Sequence, residues 1–378
     1  MPPLSPQSPQ SAQSPQSPQS PQSASPPLSW DLYCLVIDNF GDAGVCWRLA
    51  ADLAARGDRV RLVIDDAAPL AFMAPEGAPG VTVFPWPGPQ DGPGDVVVEA
   101  FGCDPPLKRV EAMAARRPPP VWINLEYLSA ESYVERSHGL PSPQACGLTK
   151  WFFYPGFTER SGGLLREPAL MAERAAFDRH AWLAEQGLSL RPGERVVSLF
   201  CYDNPQIPAL LDALAAEPTL LLLTPGFAQQ QVHAPSSEGP PDGERGGLRT
   251  HALPWLDQPG FDRLLWTCDL NFVRGEDSLV RALWAGAPCV WQIYPQDDGA
   301  HAIKLQAMLD GMQAAPAVVA LWRAWNGLSD GVGLRLPALT ALTAWAQATQ
   351  AYRQRLLGQN DLCTQLRAFV RSKSTANS

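Results

Sequence analysis

A short acidic turn near the start of the chain, Asp38-Asn39-Phe40-Gly41-Asp42, carries residues suited to chemistry. Asp38 is predicted to end a buried strand and Asp42 to open the next helix. Two carboxylates this close in sequence can orient a cationic substrate and accept a proton from it. The structural alternative is an ordinary N-cap at Asp42, because a carboxylate there accepts backbone N–H bonds and meets the positive end of the helix dipole.

A second candidate site is the run Arg274-Gly275-Glu276-Asp277-Ser278, between a predicted strand and a predicted helix. Backbone N–H groups, the Ser278 hydroxyl and the Arg274 guanidinium could converge there on an anion such as a diphosphate. Spacing alone favours the structural alternative, an ordinary helix start whose first turn carries the acids Glu276 and Asp277. Polar and aromatic groups also follow two other predicted strands, at Tyr202 and at residues 291–296.

Several other kinds of site lack a signature. None of the five histidines stands at metal-ligand spacing from another histidine or a cysteine, so no zinc site is expected. The chain has no G-x-G-x-x-G fingerprint, no P-loop and no Asp-x-Asp. A dinucleotide site is therefore weakly supported, and a metal–diphosphate clamp of the Asp-x-Asp type is not expected.

Composition and charge exclude further classes. The net charge of −9 disfavours broad binding to nucleic-acid phosphates, and no apolar run reaches the length of a membrane helix. The N-terminus has no basic and apolar stretch of the secretory type. The eight cysteines are scattered without a C-x-x-C pair, which indicates free thiols in a reducing compartment. We therefore expect a cytoplasmic protein without a membrane or nucleic-acid partner.

The elements that position the two sites form two similar blocks. Strand 32–38, helix 43–56 and strand 59–65 make a βαβ unit, which implies a parallel sheet covered by helices. A second block of this kind begins near residue 195. Further strands are predicted at 81–84, 95–99, 121–125, 195–201, 219–224, 269–273 and 289–294, helices at 278–285, 299–311 and 336–370, and an inserted loop at 234–247.

The predicted architecture is α/β, with two Rossmann-like lobes facing a cleft. Residues 1–29 carry no charge, repeat Ser-Pro-Gln from Ser5 to Gln22, and are predicted to be a disordered, polyproline-like tail. Residues 30–185 form the first lobe and residues 186–378 the second, with a seam between 155 and 192. Ligands of such sheets bind outside the carboxyl ends of the strands, so both candidate sites should face the cleft.

These motifs, in their order and spacing, resemble a known bacterial family. The acidic turn followed by residues 43–49, then residues 274–278, residues 284–286 and residues 291–296, are similar to the protein-arginine rhamnosyltransferases that modify translation elongation factor P. The similarity extends over about residues 30 to 370, which is nearly everything after the Ser-Pro-Gln tail.

The resemblance implies the glycosyltransferase type B fold, inversion at the anomeric carbon, and neither a metal nor another cofactor. The donor would be dTDP-β-L-rhamnose, held mainly by the second lobe, and the acceptor a loop-tip arginine of elongation factor P. By motif position, Asp42 corresponds to the proposed general base and Asp38 to its supporting acid, with Glu276 as a third catalytic candidate. The implied substrate-binding residues are Asn39, Phe40, Gly41, Tyr202, Gln258, Arg274, Gly275, Asp277 and Ser278.

The residue types agree with this chemistry. An arginine guanidinium keeps its proton below a pH of about 12, so attack on a sugar carbon requires the proton to leave as the bond forms. A carboxylate beside the nitrogen can accept that proton, while Arg274 can stabilise the departing diphosphate. Three alternatives stay open: a sister enzyme using another nucleotide sugar, a Rossmann-type oxidoreductase, and a non-catalytic partner of the translation machinery.

Overall fold

The computed structural model describes residues 26–37, 40–233, 243–296, 299–329, 333–337 and 339–376. Most of the predicted tail (residues 1–25), the site candidates Asp38 and Asn39, and residues 234–242 of the predicted loop lie outside these ranges.

The first lobe is built on a sheet whose order is β3-β2-β1-β4-β5-β7-β6, parallel throughout except for β6. Near-continuous apolar runs bury its central strands on both faces, as parallel sheets require. The strands are β1 (Ser29–Cys34), β2 (Arg59–Ile64), β3 (Val81–Pro85), β4 (Val96–Ala100), β5 (Val121–Leu125), β6 (Pro141–Pro143) and β7 (Thr149–Phe153).

The first strand ends at Cys34, and the predicted span 32–38 is wrong by several residues. Beyond Cys34 the backbone N–H groups bond to side chains and not to a neighbouring strand. The Val36 N–H donates to Asp65 and the Ile37 N–H donates to Asp42. The strand therefore ends before the acidic turn.

Helices cover both faces of this sheet, and the first of them carries the acidic turn. Its residues Cys46, Leu49 and Leu53 pack in one apolar core with Leu32 and Leu62 of the sheet. The helices of this half are α1 (Gly41–Ala55), α2 (Leu70–Met73), α3 (Leu107–Ala115), α4 (Tyr133–Ser137), α5 (Leu170–Ala176) and α6 (Arg179–Glu185).

The second lobe repeats the plan with the sheet order β10-β11-β9-β8-β12-β13, in which only β10 is antiparallel. The short strand β10 and its turn occupy the end of the predicted loop 234–247. The strands are β8 (Arg195–Leu199), β9 (Thr219–Leu223), β10 (Glu244–Arg245), β11 (Leu248–Ala252), β12 (Leu270–Arg274) and β13 (Cys289–Gln292).

The helices of the second half include one that returns to the first lobe. The predicted helix 336–370 is two helices, interrupted around Gly358 and Asn360, residues that favour a helix end. The last helix packs Leu362, Leu366 and Val370 into the core of the first lobe. The helices are α7 (Ile207–Ala215), α8 (Phe227–Val232), α9 (Gln258–Thr267), α10 (Gly275–Ala285), α11 (Ala300–Gly311), α12 (Pro316–Trp325), α13 (Leu339–Leu357) and α14 (Leu362–Ala376).

The expected α/β architecture with two lobes is confirmed, whereas the 185/186 boundary stays a prediction. Helices α2 to α9 and α12 were not predicted, because segments of four to ten residues contain too few turns to show helical periodicity. All eight cysteines are free thiols, six of them buried. Among the described residues, no helix is both long and apolar enough to cross a membrane.

Candidate active site

Asp42 lies in the first turn of α1, which begins at Gly41. The structural alternative, an ordinary N-cap at Asp42, is wrong, since Phe40 occupies that position and its side chain forms no capping bond. Asp42 Oδ2 instead accepts a hydrogen bond from the Ile37 N–H at 2.8 Å. This bond holds the carboxylate, which is only 3% exposed, at the positive end of the helix dipole.

Arg274 ends β12 and immediately precedes α10, so it stands at the carboxyl edge of the second sheet. Its guanidinium carbon lies 4.3 Å from the ring centroid of Tyr202 and 4.7 Å from that of Phe200. The residue is 6% exposed, and its Nη1 has no hydrogen-bond partner among the described residues. Because an unpaired buried cationic donor is costly, this arrangement suits an anionic ligand.

The side chains that follow Gly275 are engaged within the protein. The Ser278 hydroxyl, predicted to face the anion, donates instead to the backbone carbonyl of Arg274. Asp277 Oδ2 accepts a bond from Arg48 Nε at 3.1 Å, and its Oδ1 is buried without a partner among the described residues. What α10 offers an anion is therefore the set of unpaired backbone N–H groups in its first turn.

Glu276 connects the second lobe with the first. One carboxylate oxygen accepts a hydrogen bond from the Leu128 N–H at 2.8 Å, in the segment after β5. The other accepts a bond from the Lys304 ammonium on α11. The sequence contained no sign of either partner, because both are distant along the chain.

Two cavities flank the start of α10 and share a wall. Their empty volumes are about 780 and about 830 Å³. Gly41, Glu276 and Asp277 line both, whereas among described residues Arg274 lines only the first and Asp42 only the second. The first is rich in aromatic residues, namely Phe40, Phe72, Phe200, Tyr202, Trp255 and Phe261; the second includes Phe101, Tyr127, Trp291, Ile293, Tyr294 and Gln296.

The structure brings the described candidates to one place. Tyr202, Gln258, Gly275, Ser278 and Phe40 line the first cavity together with Arg274. Gln258 Nε2 donates to the Gly44 carbonyl of α1 at 3.0 Å, so this predicted nucleotide contact also holds the lobes together.

Sequence reasoning missed several aromatic residues of the cavities. Phe101 and Phe200 come directly after β4 and β8, so the rule that ligands bind at carboxyl ends could have found them. Phe72 and Trp255 had no such signal, because each lies on a different lobe and their rings meet only in the folded protein, with centroids 4.5 Å apart.

A buried cluster of charges, which was also not predicted, joins the lobes at the shared wall. Besides Asp277, Arg48 of α1 pairs with Asp262 at 3.2 Å and with Glu167 at 3.3 Å. Arg281 of α10 pairs with the same two acids at 2.6 and 2.7 Å. Although burial opposes ionisation, Arg281 and Arg48 hold the pKa of Glu167 at about 2.

This cluster predicts a large stability effect. Replacing Asp262 by alanine removes an acid whose two carboxylate oxygens each accept hydrogen bonds from both Arg48 and Arg281, and leaves the charge of these buried arginines only partly compensated. The free energy of unfolding should therefore fall by about 3 kcal/mol. Urea denaturation of the wild type and the variant measures this loss of unfolding free energy. The control is Asp212→Ala, which breaks the exposed pair with Arg245 and should cost less than about 1 kcal/mol. Equal losses in the two variants would contradict a stabilising role of the cluster.

The chain is similar to known proteins over nearly all of its length. Residues 30–371 match the family described as Elongation-Factor P (EF-P) rhamnosyltransferase EarP. The chain belongs to this family. It is 45% identical to a protein-arginine rhamnosyltransferase of Pseudomonas putida over 91% of this chain and 99% of that one. It is 42% identical to the protein of the same name from Pseudomonas aeruginosa, over 90% and 98%.

A solved structure agrees with this membership. It concerns the structural basis for EarP-mediated arginine glycosylation of translation elongation factor EF-P, and is 34% identical with a TM-score of 0.62 over 91% of this chain and 99% of that chain. The protein is therefore a glycosyltransferase, with the two facing lobes of the type B fold. The oxidoreductase and the non-catalytic partner are no longer alternatives.

Proposed function

We propose that this member of the EarP family transfers L-rhamnose from dTDP-β-L-rhamnose to an arginine side chain of elongation factor P, with inversion at the anomeric carbon and Asp42 as the general base. The acceptor is inferred from two relatives: one is named a protein-arginine rhamnosyltransferase, and the other is a structure that concerns arginine glycosylation of elongation factor EF-P. The observation that carries the mechanism is the wall shared by the two cavities, to which Gly41 and the start of α10 contribute. The buried Asp42 lines the cavity on one side of it, and Arg274 lines the cavity on the other.

The first cavity suits the nucleotide part of the donor. Its aromatic lining can pack against a planar base. The Arg274 Nη1 and the N-terminal N–H groups of α10 can bind the diphosphate, since both supply positive charge from fixed positions. Gly275 leaves the backbone there without a side chain that would obstruct a phosphate.

The second cavity suits the sugar and the acceptor arginine. Asp42 lines it from the first lobe, and the ring of Trp291 and the side chain of Ile293 line it from the second. A guanidinium that enters this cavity would meet the Asp42 carboxylate directly. Glu276 lies on the wall between the cavities, so it can contact either substrate.

The proposed reaction is a single displacement. A guanidinium nitrogen of the acceptor attacks C1 of rhamnose while the bond from C1 to the diphosphate oxygen breaks. The proton lost by that nitrogen passes to the Asp42 carboxylate, and the electron pair of the broken bond leaves with dTDP. The acidity of the nitrogen rises as the new bond forms, so the transfer does not require a strong base. Attack opposite the leaving group converts the β-linked donor into an α-linked product.

The test is a reconstituted reaction. Purified protein, elongation factor P and dTDP-L-rhamnose should give a mass increase of one deoxyhexose on an arginine, read by mass spectrometry of the digested acceptor. An equal yield in EDTA is expected, because Arg274 and α10 can stabilise the leaving group without a metal. Replacing the donor by dTDP-glucose or UDP-glucose tests the sister-enzyme alternative. If one of those donors modified elongation factor P and dTDP-L-rhamnose did not, the proposed donor would be wrong.

A further inference from the structure

The start of α10 presents an electrostatic conflict for the ligand proposed to bind there. A diphosphate carries several negative charges, yet the first turn of α10 contains the carboxylates of Glu276 and Asp277, which both line the first cavity. Like charges in a partly desolvated site repel strongly. Free carboxylates at these two positions would therefore oppose the attraction that Arg274 and the helix N-terminus supply.

The structure resolves the conflict by pairing each acid with a cation from another element. Asp277 pairs with Arg48, which belongs to the buried charge cluster between the lobes. Glu276 pairs with Lys304 of α11, and the side chains of both are about one-fifth exposed. Within the described part of the chain, Lys304 pairs with Glu276 alone, whereas Arg48 pairs with three acids, so Lys304 can be replaced without disrupting the charge cluster.

We propose that Lys304 is a positioning residue for donor binding. It neutralises Glu276 and holds that carboxylate beside the Leu128 N–H, so that the positive charge of Arg274 and of the α10 N-terminus acts on the diphosphate without opposition. The inference rests on the proposed function, because the diphosphate of the donor is what makes an unpaired Glu276 harmful.

Titration calorimetry of the full chain with dTDP tests the inference. Lys304→Met should raise the dissociation constant on the order of tenfold, since it leaves an unpaired carboxylate next to the phosphates. Lys304→Arg should retain most of the affinity. The double variant Glu276→Gln/Lys304→Met should bind dTDP more tightly than Lys304→Met alone, because it removes the unpaired charge and keeps a carbonyl oxygen for the Leu128 N–H.

Two controls distinguish the loss of the Lys304 charge from a structural defect of the variant. Lys108→Met removes the same charge from an exposed position on α3 and should leave dTDP affinity unchanged. Thymidine, titrated by NMR, has no phosphate, so Lys304→Met should bind it as the wild type does. An equal loss of thymidine and dTDP affinity, or no recovery in the double variant, would overturn the role of Lys304.

The outcome also separates this inference from the proposed function. If wild-type protein does not bind dTDP, the proposed donor is wrong and the inference fails with it. If wild-type protein binds dTDP and rhamnosylates elongation factor P while Lys304→Met binds dTDP equally well, the inference alone is wrong.

Discussion

Replacing Asp42 by asparagine is expected to lower the rate of rhamnose transfer by about 10²-fold or more, the contribution of a positioned general base. Asparagine has nearly the same shape and keeps an oxygen that can accept the Ile37 N–H, so the turn should remain folded. What is lost is the ability to take the proton from the guanidinium. The rate is measured by mass spectrometry of elongation factor P over time.

The affinity for dTDP should be nearly unchanged in Asp42→Asn, since Asp42 lines the second cavity and not the first. A matched control is Asp65→Asn. Asp65 follows β2, and its carboxylate accepts the Val36 N–H at 2.9 Å, but it lines neither cavity. Its transfer rate should stay close to that of the wild type. If Asp42→Asn kept more than about a tenth of the wild-type rate, Asp42 would not be the base.

Replacing Arg274 by alanine is expected to weaken dTDP binding by about 10²-fold, the usual cost of removing one partner from a buried, charge-assisted contact. The guanidinium is held against the rings of Tyr202 and Phe200 with an unpaired N–H group, which is a prepared site for a phosphate oxygen. Calorimetry with dTDP measures the effect. Arg274→Lys should recover only part of it, because an ammonium lacks the planar fork.

The control for Arg274 is Arg263→Ala, which removes an exposed guanidinium from α9 on the same lobe. Its dTDP affinity should match that of the wild type. Circular dichroism should show that both variants are folded. An unchanged affinity in Arg274→Ala would remove this residue from the donor site and would leave the α10 N-terminus as the remaining candidate for the diphosphate.

Local sequence was sufficient to predict the elements on which the site stands. The predicted strand 32–38 is a near-continuous apolar run that ends at Asp38, and the predicted strand 269–273 leads directly into the polar residues 274–278. Since ligands of parallel sheets bind beyond the carboxyl ends of strands, the acidic turn and residues 274–278 could be selected before any contact was known. Short helices and exact strand ends could not be predicted in this way, because they depend on side-chain hydrogen bonds such as the one that the Ile37 N–H donates to the Asp42 carboxylate.

The sequence by itself determined the two α/β blocks, the acidic turn and the helix start after Arg274, because each arises from neighbouring residues. Only the tertiary structure decided how these parts are paired. Arg48 and Asp277 are 229 positions apart, and Lys304 meets Glu276 across separate helices. Such contacts depend on how the lobes and helices pack, which leaves no periodic trace in the sequence. The same packing places Asp42 and Arg274 on either side of one wall.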